Sequence, residues 1–315
     1  MVDRRLVELA DVGIEIIQHD PAASQTATWF FGPDSGGARP RQTDVVIELG
    51  GDVRAVTDRP ADSQDGPVRT WWAADSLHAV HESSAATDAT DTHIVIGRPD
   101  DDAARWRSDR QLLFTALSWW FARRGAVVLH AAAIVVDDIA LVIAGPTGAG
   151  KSTCVAAAIE QGWGVLSDDL VVIKASDRVR AFGVPKRVAL DAEQSARLAQ
   201  QSTPLADDQR MRRTLPVSFV RSWYEVGALI AVGHHAGEGD SSTLAHRDAV
   251  ATIMASWPES VHPEAVARGL PHIAALAGLP AFSLLHGDDP VGRVHRAAIA
   301  LRSIGERCTT SSNAQ

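Results

Sequence analysis

A chain that contains Gly145-Pro146-Thr147-Gly148-Ala149-Gly150-Lys151-Ser152-Thr153 has few folds open to it. The stretch fits the phosphate-loop pattern GxxxxGK[ST] at every fixed position. Such a loop works between a strand and a helix, because its backbone N–H groups must converge where the helix dipole adds partial positive charge. The flanks agree. Ile139-Ala140-Leu141-Val142-Ile143-Ala144 reads as a buried strand entering the loop, and Cys154-Val155-Ala156-Ala157-Ala158-Ile159 as a helix leaving it. Gly162 is placed to end that helix as a left-handed cap. Gly145 to Thr153 are therefore the candidate residues for binding the phosphates of ATP. Lys151 is expected to reach the β- and γ-phosphates, and the Ser152 hydroxyl to sit on Mg²⁺.

The use of lysine supports this reading. The only lysines of the chain are Lys151, Lys174 and Lys186, among 30 basic residues. A chain that otherwise prefers arginine has a lysine where a phosphate loop needs an ammonium.

Composition excludes several classes. The 315 residues carry 45% hydrophobic and 22% charged side chains, as a folded soluble protein does. The net charge of −9 argues against a general nucleic-acid or membrane-surface binder. No apolar run has the length of a bilayer span, and Met1-Val2-Asp3-Arg4-Arg5 is not the start of a secretory signal. The cytoplasm is the default compartment. The two cysteines, Cys154 and Cys308, suggest neither a disulfide nor a metal cage.

Residues 1–95 lean towards β-structure. Short apolar runs, such as Val45-Val46-Ile47-Glu48-Leu49, alternate with turn-rich stretches. The pair Trp71-Trp72 reads as core or as a recognition surface. Ser83–Thr92 reads as a loop or linker, and Thr92–Gly97 as a closing strand. Ser108-Asp109-Arg110-Gln111 spells a capping-box start for a helix that ends at Arg123-Arg124-Gly125.

Next comes the apolar run Val127–Val136, and Asp137-Asp138 then suggests a tight hairpin into the strand before the phosphate loop. His130 sits at the start of that hairpin. Beyond the helix, Val165-Leu166-Ser167 leads into Asp168-Asp169 and then Leu170-Val171-Val172-Ile173. Two readings of this acidic pair stand. One carboxylate holds Mg²⁺ while the other takes a proton from an attacking hydroxyl, or the pair is a second hairpin turn.

The order and spacing of His130, the Gly145–Ser152 loop and Asp168-Asp169 resemble the HPr kinase/phosphorylase family over about Leu129–Ile173. The resemblance implies an α/β P-loop kinase core of the HPr kinase and phosphoenolpyruvate carboxykinase type. It implies Asp168 as general base, Asp169 with Ser152 on Mg²⁺, and Lys151 on the β- and γ-phosphates. His130 is implied to lie beside Asp168 and tune it. Thr147 stands where the family has serine. The family's downstream Glu-containing glycine-rich segment, linked to dephosphorylation, is not found. The likeness is therefore to stand-alone HPr-kinase-like enzymes, including those that phosphorylate a serine on a precursor peptide.

Further along, Lys186-Arg187 reads either as a pair of cations facing the triphosphate or as an exposed basic turn. Asp191–Gln200 reads as a short helix, and Gln201–Arg213 as a docking or solvated loop. Val226–Val232 reads as a central strand. His234-His235 lacks the spacing of a metal site. Helices are expected over Arg247–Trp257, over Pro263–Ala277 with a break near Gly269 and Pro271, and over Val291–Ser303.

The expected organisation is an N-terminal β-rich domain (1–95), a kinase domain (100–305) and a polar tail (306–315). The expected activity is ATP- and Mg²⁺-dependent transfer to a Ser or Thr hydroxyl of a protein or peptide acceptor. No nucleic-acid or membrane partner is expected, and a homo-oligomer is open. The rival expectations are a kinase for a small alcohol or amino acid, and a regulatory ATPase that transfers to no acceptor.

Overall fold

Val127–Val136 and Ile139–Ala144 are apolar almost without interruption, and such runs need cover on both faces of a sheet. The computed structural model provides it. It describes residues 3–19, 21–31, 42–51, 61, 63–65, 68–73, 76–81, 86–90, 92–97, 102–184, 188–190, 203–204, 213–215, 217, 219–234, 240–257, 263–286 and 290–312. The chain divides into two units, Met1–Val128 with Pro258–Gly269, and Leu129–Trp257 with Leu270–Gln315.

The first unit holds β1 (Asp3–Leu9), β2 (Val12–Gln18), α1 (Pro21–Phe31), β3 (Val45–Gly51), β4 (Ser63–Asp65), β5 (Val68–Ala73), β6 (Ser76–His81), β7 (Ala86–Thr90), β8 (His93–Gly97) and α2 (Asp102–Arg123). Its eight strands form one sheet in the order β1-β2-β3-β8-β7-β6-β5-β4. A hairpin turned by Ala10 and Asp11, both with left-handed φ, joins β1 to β2. β2, α1 and β3 make a parallel crossover, and β4 to β8 form an antiparallel meander. Leu9, Ile14, Ile16, Ile47, Leu49, Ile94 and Ile96 are fully buried, as are Trp119 and Trp120 of α2.

Several expectations change here. Trp71 is core; the Trp72 side chain lies outside the described residues. Ala86–Thr90 is a strand between β6 and β8, not a linker. Its small polar composition hid pairing that comes from its neighbours. Ser108 lies inside α2, which begins at Asp102. Asp102-Ala103-Ala104-Arg105 joins a carboxylate at the helix N-terminus to good helix formers, so nothing delays the start to Ser108. α2 packs on β6, β7 and β8, and the first unit runs to Val128.

The second unit begins within β9 (Val127–His130). It continues through β10 (Ala132–Val136), β11 (Ile139–Ala144), α3 (Lys151–Glu160), β12 (Gly164–Ser167), β13 (Leu170–Ala175), β14 (Val179–Gly183), β15 (Val188–Leu190), β16 (Thr203–Pro204), β17 (Arg213–Leu215), β18 (Tyr224–His234), β19 (Asp240–Thr243), α4 (His246–Ala255), the part of α5 (Pro263–Ala277) from Leu270 onward, β20 (Ala281–His286) and α6 (Pro290–Ser312). The main sheet is mixed, in the order β12-β10-β11-β18-β14-β13-β9, with β20 on β18 and β19 on β20. β11 is antiparallel to β10 and parallel to β18, which is itself parallel to β20. β18 is the central strand expected.

Alternate residues face α3 and α6: Ile134 and Val136, Leu141 and Ile143, Ala228 and Ile230, Phe282 and Leu284. The intervening Ala133, Val142 and Leu229 are equally buried on the other side. The sheet folds back on itself there. A Cβ on Gly183 of β14 would lie 1.9 Å from the carbonyl oxygen of Leu166 in β12. Only glycine permits that backbone approach.

Two helix ends differ from expectation. α5 runs unbroken through Pro271, with Ile273, Leu276 and Ala277 buried and the Ala175 N–H donating to His272 Nδ1 at 3.0 Å. Packing holds it where propensity alone would break it. α6 continues to Ser312 instead of ending in a frayed tail, since Leu301, Ile304 and Cys308 keep a buried helical stripe. Asp191–Gln200 and most of Gln201–Arg213 lie outside the described residues. Among the described residues no helix is long and apolar enough to cross a membrane.

Candidate active site

β10 sets the site. On one side Ala132 is opposite Ile143 of β11, and on the other Ala133 is opposite Ser167 of β12. The phosphate loop leaves β11 just past Ile143, and Asp168-Asp169 follows Ser167. Both features therefore emerge at one end of the sheet. His130, two residues before β10, lies at that end too. β18 and β20 finish there, with Ala231 opposite Ala144 and His234 opposite His286.

The loop is held by its own backbone. Gly150 is the N-cap of α3 with φ of 105°, and no side chain caps the helix. That leaves the helix N-terminus open to an anionic ligand. A Cβ on Gly145 would lie 2.6 Å from the Val232 carbonyl oxygen of β18, so the strand backbone presses directly on the loop's first residue. Lys151 is buried, and its Nζ donates to the carbonyls of Gly145 at 2.7 Å and Pro146 at 3.3 Å. Pro146, Thr147 and Gly148 are exposed and Ser152 is half-buried. At the far end the N–H groups of Gly162 and Trp163 return to the carbonyls of Ile159 and Ala158, and Gly162 has φ of 70°. This is the glycine-capped helix end that the sequence predicts.

The two Asp-Asp pairs separate sharply. Asp137 and Asp138 have left-handed φ, are exposed, and turn a tight hairpin in which Val136 faces Ile139. Asp168-Asp169 instead joins strands with different partners: β12 pairs with β10, while β13 pairs with β14. It is a corner and not a hairpin. The Ser167 hydroxyl fixes it, donating to the Val184 carbonyl at 3.0 Å and accepting from the N–H groups of Asp169 (3.2 Å) and Leu170 (3.1 Å). Leu166 is the extra residue of a bulge against β10, which turns the chain just before the acidic pair.

Charge ties the corner to the loop. Burial holds the Lys151 ammonium below its ordinary pKa, and the carboxylates of Asp169 and then Asp168 work against that. Burial pushes the Cys154 thiol up to about 12, and Asp168 adds to the shift. Asp168 is 8% exposed. His130 Nδ1 lies 3.2 Å from Asp169 Oδ1. The ring thus stands against Asp169.

Lys186 and Arg187 lie outside the described residues, as does His235. Three residues with no local signal join the site: Ser167 under the acidic corner, Val232 against Gly145, and His286, whose ring meets Gly150. Among the described residues no three His, Cys, Asp or Glu side chains converge to cage a metal. Ser152 with Asp169 is a sparse oxygen set of the kind that suits Mg²⁺, which keeps waters and takes phosphate oxygens as further ligands.

No protein-family model matches the sequence. No curated protein matches it. Among solved structures, the chain is similar to the Hpr(Ser) kinase/phosphatase from Coxiella burnetii. The identity is 12%, over 59% of this chain and 98% of that one, with a TM-score of 0.30. So distant a likeness leaves the site to be read from its own geometry.

Proposed function

We propose that the second unit is an ATP- and Mg²⁺-dependent kinase that moves the γ-phosphoryl group to a Ser or Thr hydroxyl of a protein or precursor peptide. The observation that carries the reading is that the Asp168-Asp169 corner emerges at the same end of the sheet as the phosphate loop, with both carboxylates within electrostatic reach of Lys151. A loop that only bound phosphate would have no use for two carboxylates beside its lysine. Their mutual repulsion with the nucleotide would weaken binding. A phosphotransferase needs them, one to hold the metal and one to accept a proton.

In this reading the open N-terminus of α3 and the Gly148-Ala149-Gly150 backbone cradle the β- and γ-phosphates. Lys151 swings from the Gly145 carbonyl onto the phosphate oxygens. Ser152 and Asp169 would hold Mg²⁺, which would supply charge neutralisation to the transferring phosphoryl group. His130 fixes the Asp169 carboxylate. Asp168 takes the proton of the acceptor hydroxyl as its oxygen bonds to the γ-phosphorus and the β–γ bridging bond breaks, releasing ADP. The choice of a protein or peptide acceptor rests on the resemblance carried by His130, the loop and the acidic pair.

The test is transfer from γ-labelled ATP to Ser-containing candidate peptides, with Lys151→Ala as the control. Label on a peptide serine, absent in the control, is the expected result. Label released only as free phosphate, whatever the acceptor, would remove the kinase reading.

A further inference from the structure

Outside the residues assigned above, the least expected neighbour of the phosphate loop is His286. It is the last residue of β20, 3% exposed, and 132 residues from Cys154, the first-turn residue of α3 that it approaches. A Cβ added to Gly150 would fall 2.2 Å from His286 Cδ2 and 2.4 Å from Nε2. The Cδ2–Nε2 edge of the ring therefore lies against Gly150, the residue whose φ of 105° turns the loop into the helix. Its Nε2 also sits 3.9 Å from Cys154 Sγ. β20 brings it there by pairing in parallel with β18, whose Val232 backs Gly145. The loop is thus braced at both glycines, by a strand backbone at Gly145 and by an imidazole at Gly150.

We propose that His286 is a positioning residue for nucleotide binding, a buried wedge that holds Gly150 in its left-handed conformation and so fixes the α3 N–H groups on the phosphates. A left-handed glycine at this point is intrinsically mobile, since glycine visits many backbone states. A ring in van der Waals contact removes that freedom before the ligand arrives, and preorganised donors bind more tightly than donors that must first be ordered. The proposal rests on the phosphate-binding reading of the loop.

The experiment compares ATP and ADP affinity by calorimetry in the wild-type protein, His286→Ala, His286→Gln, Gly150→Ala and the His286→Ala/Gly150→Ala double variant. Each melting temperature is recorded alongside. The expected result is a loss of ATP and ADP affinity of at least tenfold in His286→Ala with little change in melting temperature, and partial rescue in His286→Gln, which keeps bulk and a nitrogen near the Nε2 position. The double variant should bind ATP no worse than Gly150→Ala alone, because removing the ring relieves the clash. Unchanged affinity in both His286 variants, or strictly additive losses in the double variant, would overturn the proposal and leave phosphate binding standing. A wild-type protein that binds no nucleotide would overturn both. Should His286→Ala not fold, His286→Gln decides alone: a measurable loss of ATP and ADP affinity supports the wedge, and wild-type affinity overturns it.

Discussion

His130 Nδ1 stands 3.2 Å from Asp169 Oδ1, and the ring is half-exposed while the carboxylate is 17% exposed. The contact gives the two aspartates of the corner different surroundings. Asp169 is oriented by an imidazole, and Asp168 is the more deeply buried of the two. A pair of identical side chains thereby meets two unlike environments.

If His130 serves Asp169, its loss should act through the metal. His130→Gln is expected to raise the Mg²⁺ concentration for half-maximal turnover severalfold, with a smaller effect on turnover at saturating Mg²⁺. A Mg²⁺ titration of the steady-state rate checks this. A fall in turnover that excess Mg²⁺ does not recover would place the ring on Asp168 instead.

Asp168→Asn is expected to abolish transfer while leaving ATP affinity within a few-fold of wild type. The substitution keeps shape and removes the proton acceptor. Single-turnover transfer and equilibrium nucleotide binding are the paired measurements. Equal loss of both would remove Asp168 as the base.

Lys151→Met should lower transfer by about a hundredfold or more, the usual cost of losing a donor to developing charge. The same change should not destabilise the protein, because it removes a buried ammonium whose desolvation opposes folding. Thermal melting of the two proteins tests the second half. A large drop in melting temperature would mean that the Gly145 and Pro146 carbonyls need the ammonium for the fold itself.

Cys154 makes stability depend on pH on the alkaline side. Its thiol ionises near 12 in the folded chain, above its ordinary value. Between the two values the unfolded chain has already lost the proton that the folded chain keeps. The stability this gives is present below the ordinary thiol pKa and is lost as pH rises towards 12, with a slope of up to about 1.4 kcal/mol per unit. Lys151 has the opposite sign, since its depressed folded pKa makes stability rise with pH in the window below its ordinary value. Urea unfolding at pH 7 and pH 10 is the measurement. Cys154→Ala should lose less stability between those pH values than wild type, and Lys151→Met should lose more.

Gly183→Ala is expected to destabilise the second unit by about 2–3 kcal/mol or prevent its folding, since the new methyl meets the Leu166 backbone, which cannot swing aside. Chemical denaturation checks this. A near-neutral outcome would mean that β12 and β14 do not cross as closely as described.

Much of the second unit was legible because its signals are local. The strand, loop, helix and glycine cap lie within Ile139–Trp163, where spacing alone decides the reading. The Asp137-Asp138 hairpin was equally plain. The Asp168-Asp169 corner was not, because hairpin and corner differ only in which strands pair, and that information lies in β10 and β14. His286 gave no signal at all. Its neighbours in sequence spell an ordinary buried strand, and what it touches is fixed by β20 lying beside β18. In the first unit, β7 was missed for a related reason: strand pairing can order a stretch whose own residues state no preference. Ser108 misled in the other direction, as a good capping signal inside a helix that had no need of it.

β10 has the strand that enters the phosphate loop on one side and the strand that enters the acidic corner on the other, and so it sets their spacing. A strand register changes only in whole residues, and a slip of one turns every side chain to the opposite face. The distance from phosphate loop to acidic corner is therefore quantised. Drift by small steps is closed to it, and an insertion within Ala132–Val136 would shift the loop against the corner at a stroke. On the kinase reading proposed above, a lineage built on this scaffold would change what it phosphorylates sooner than how.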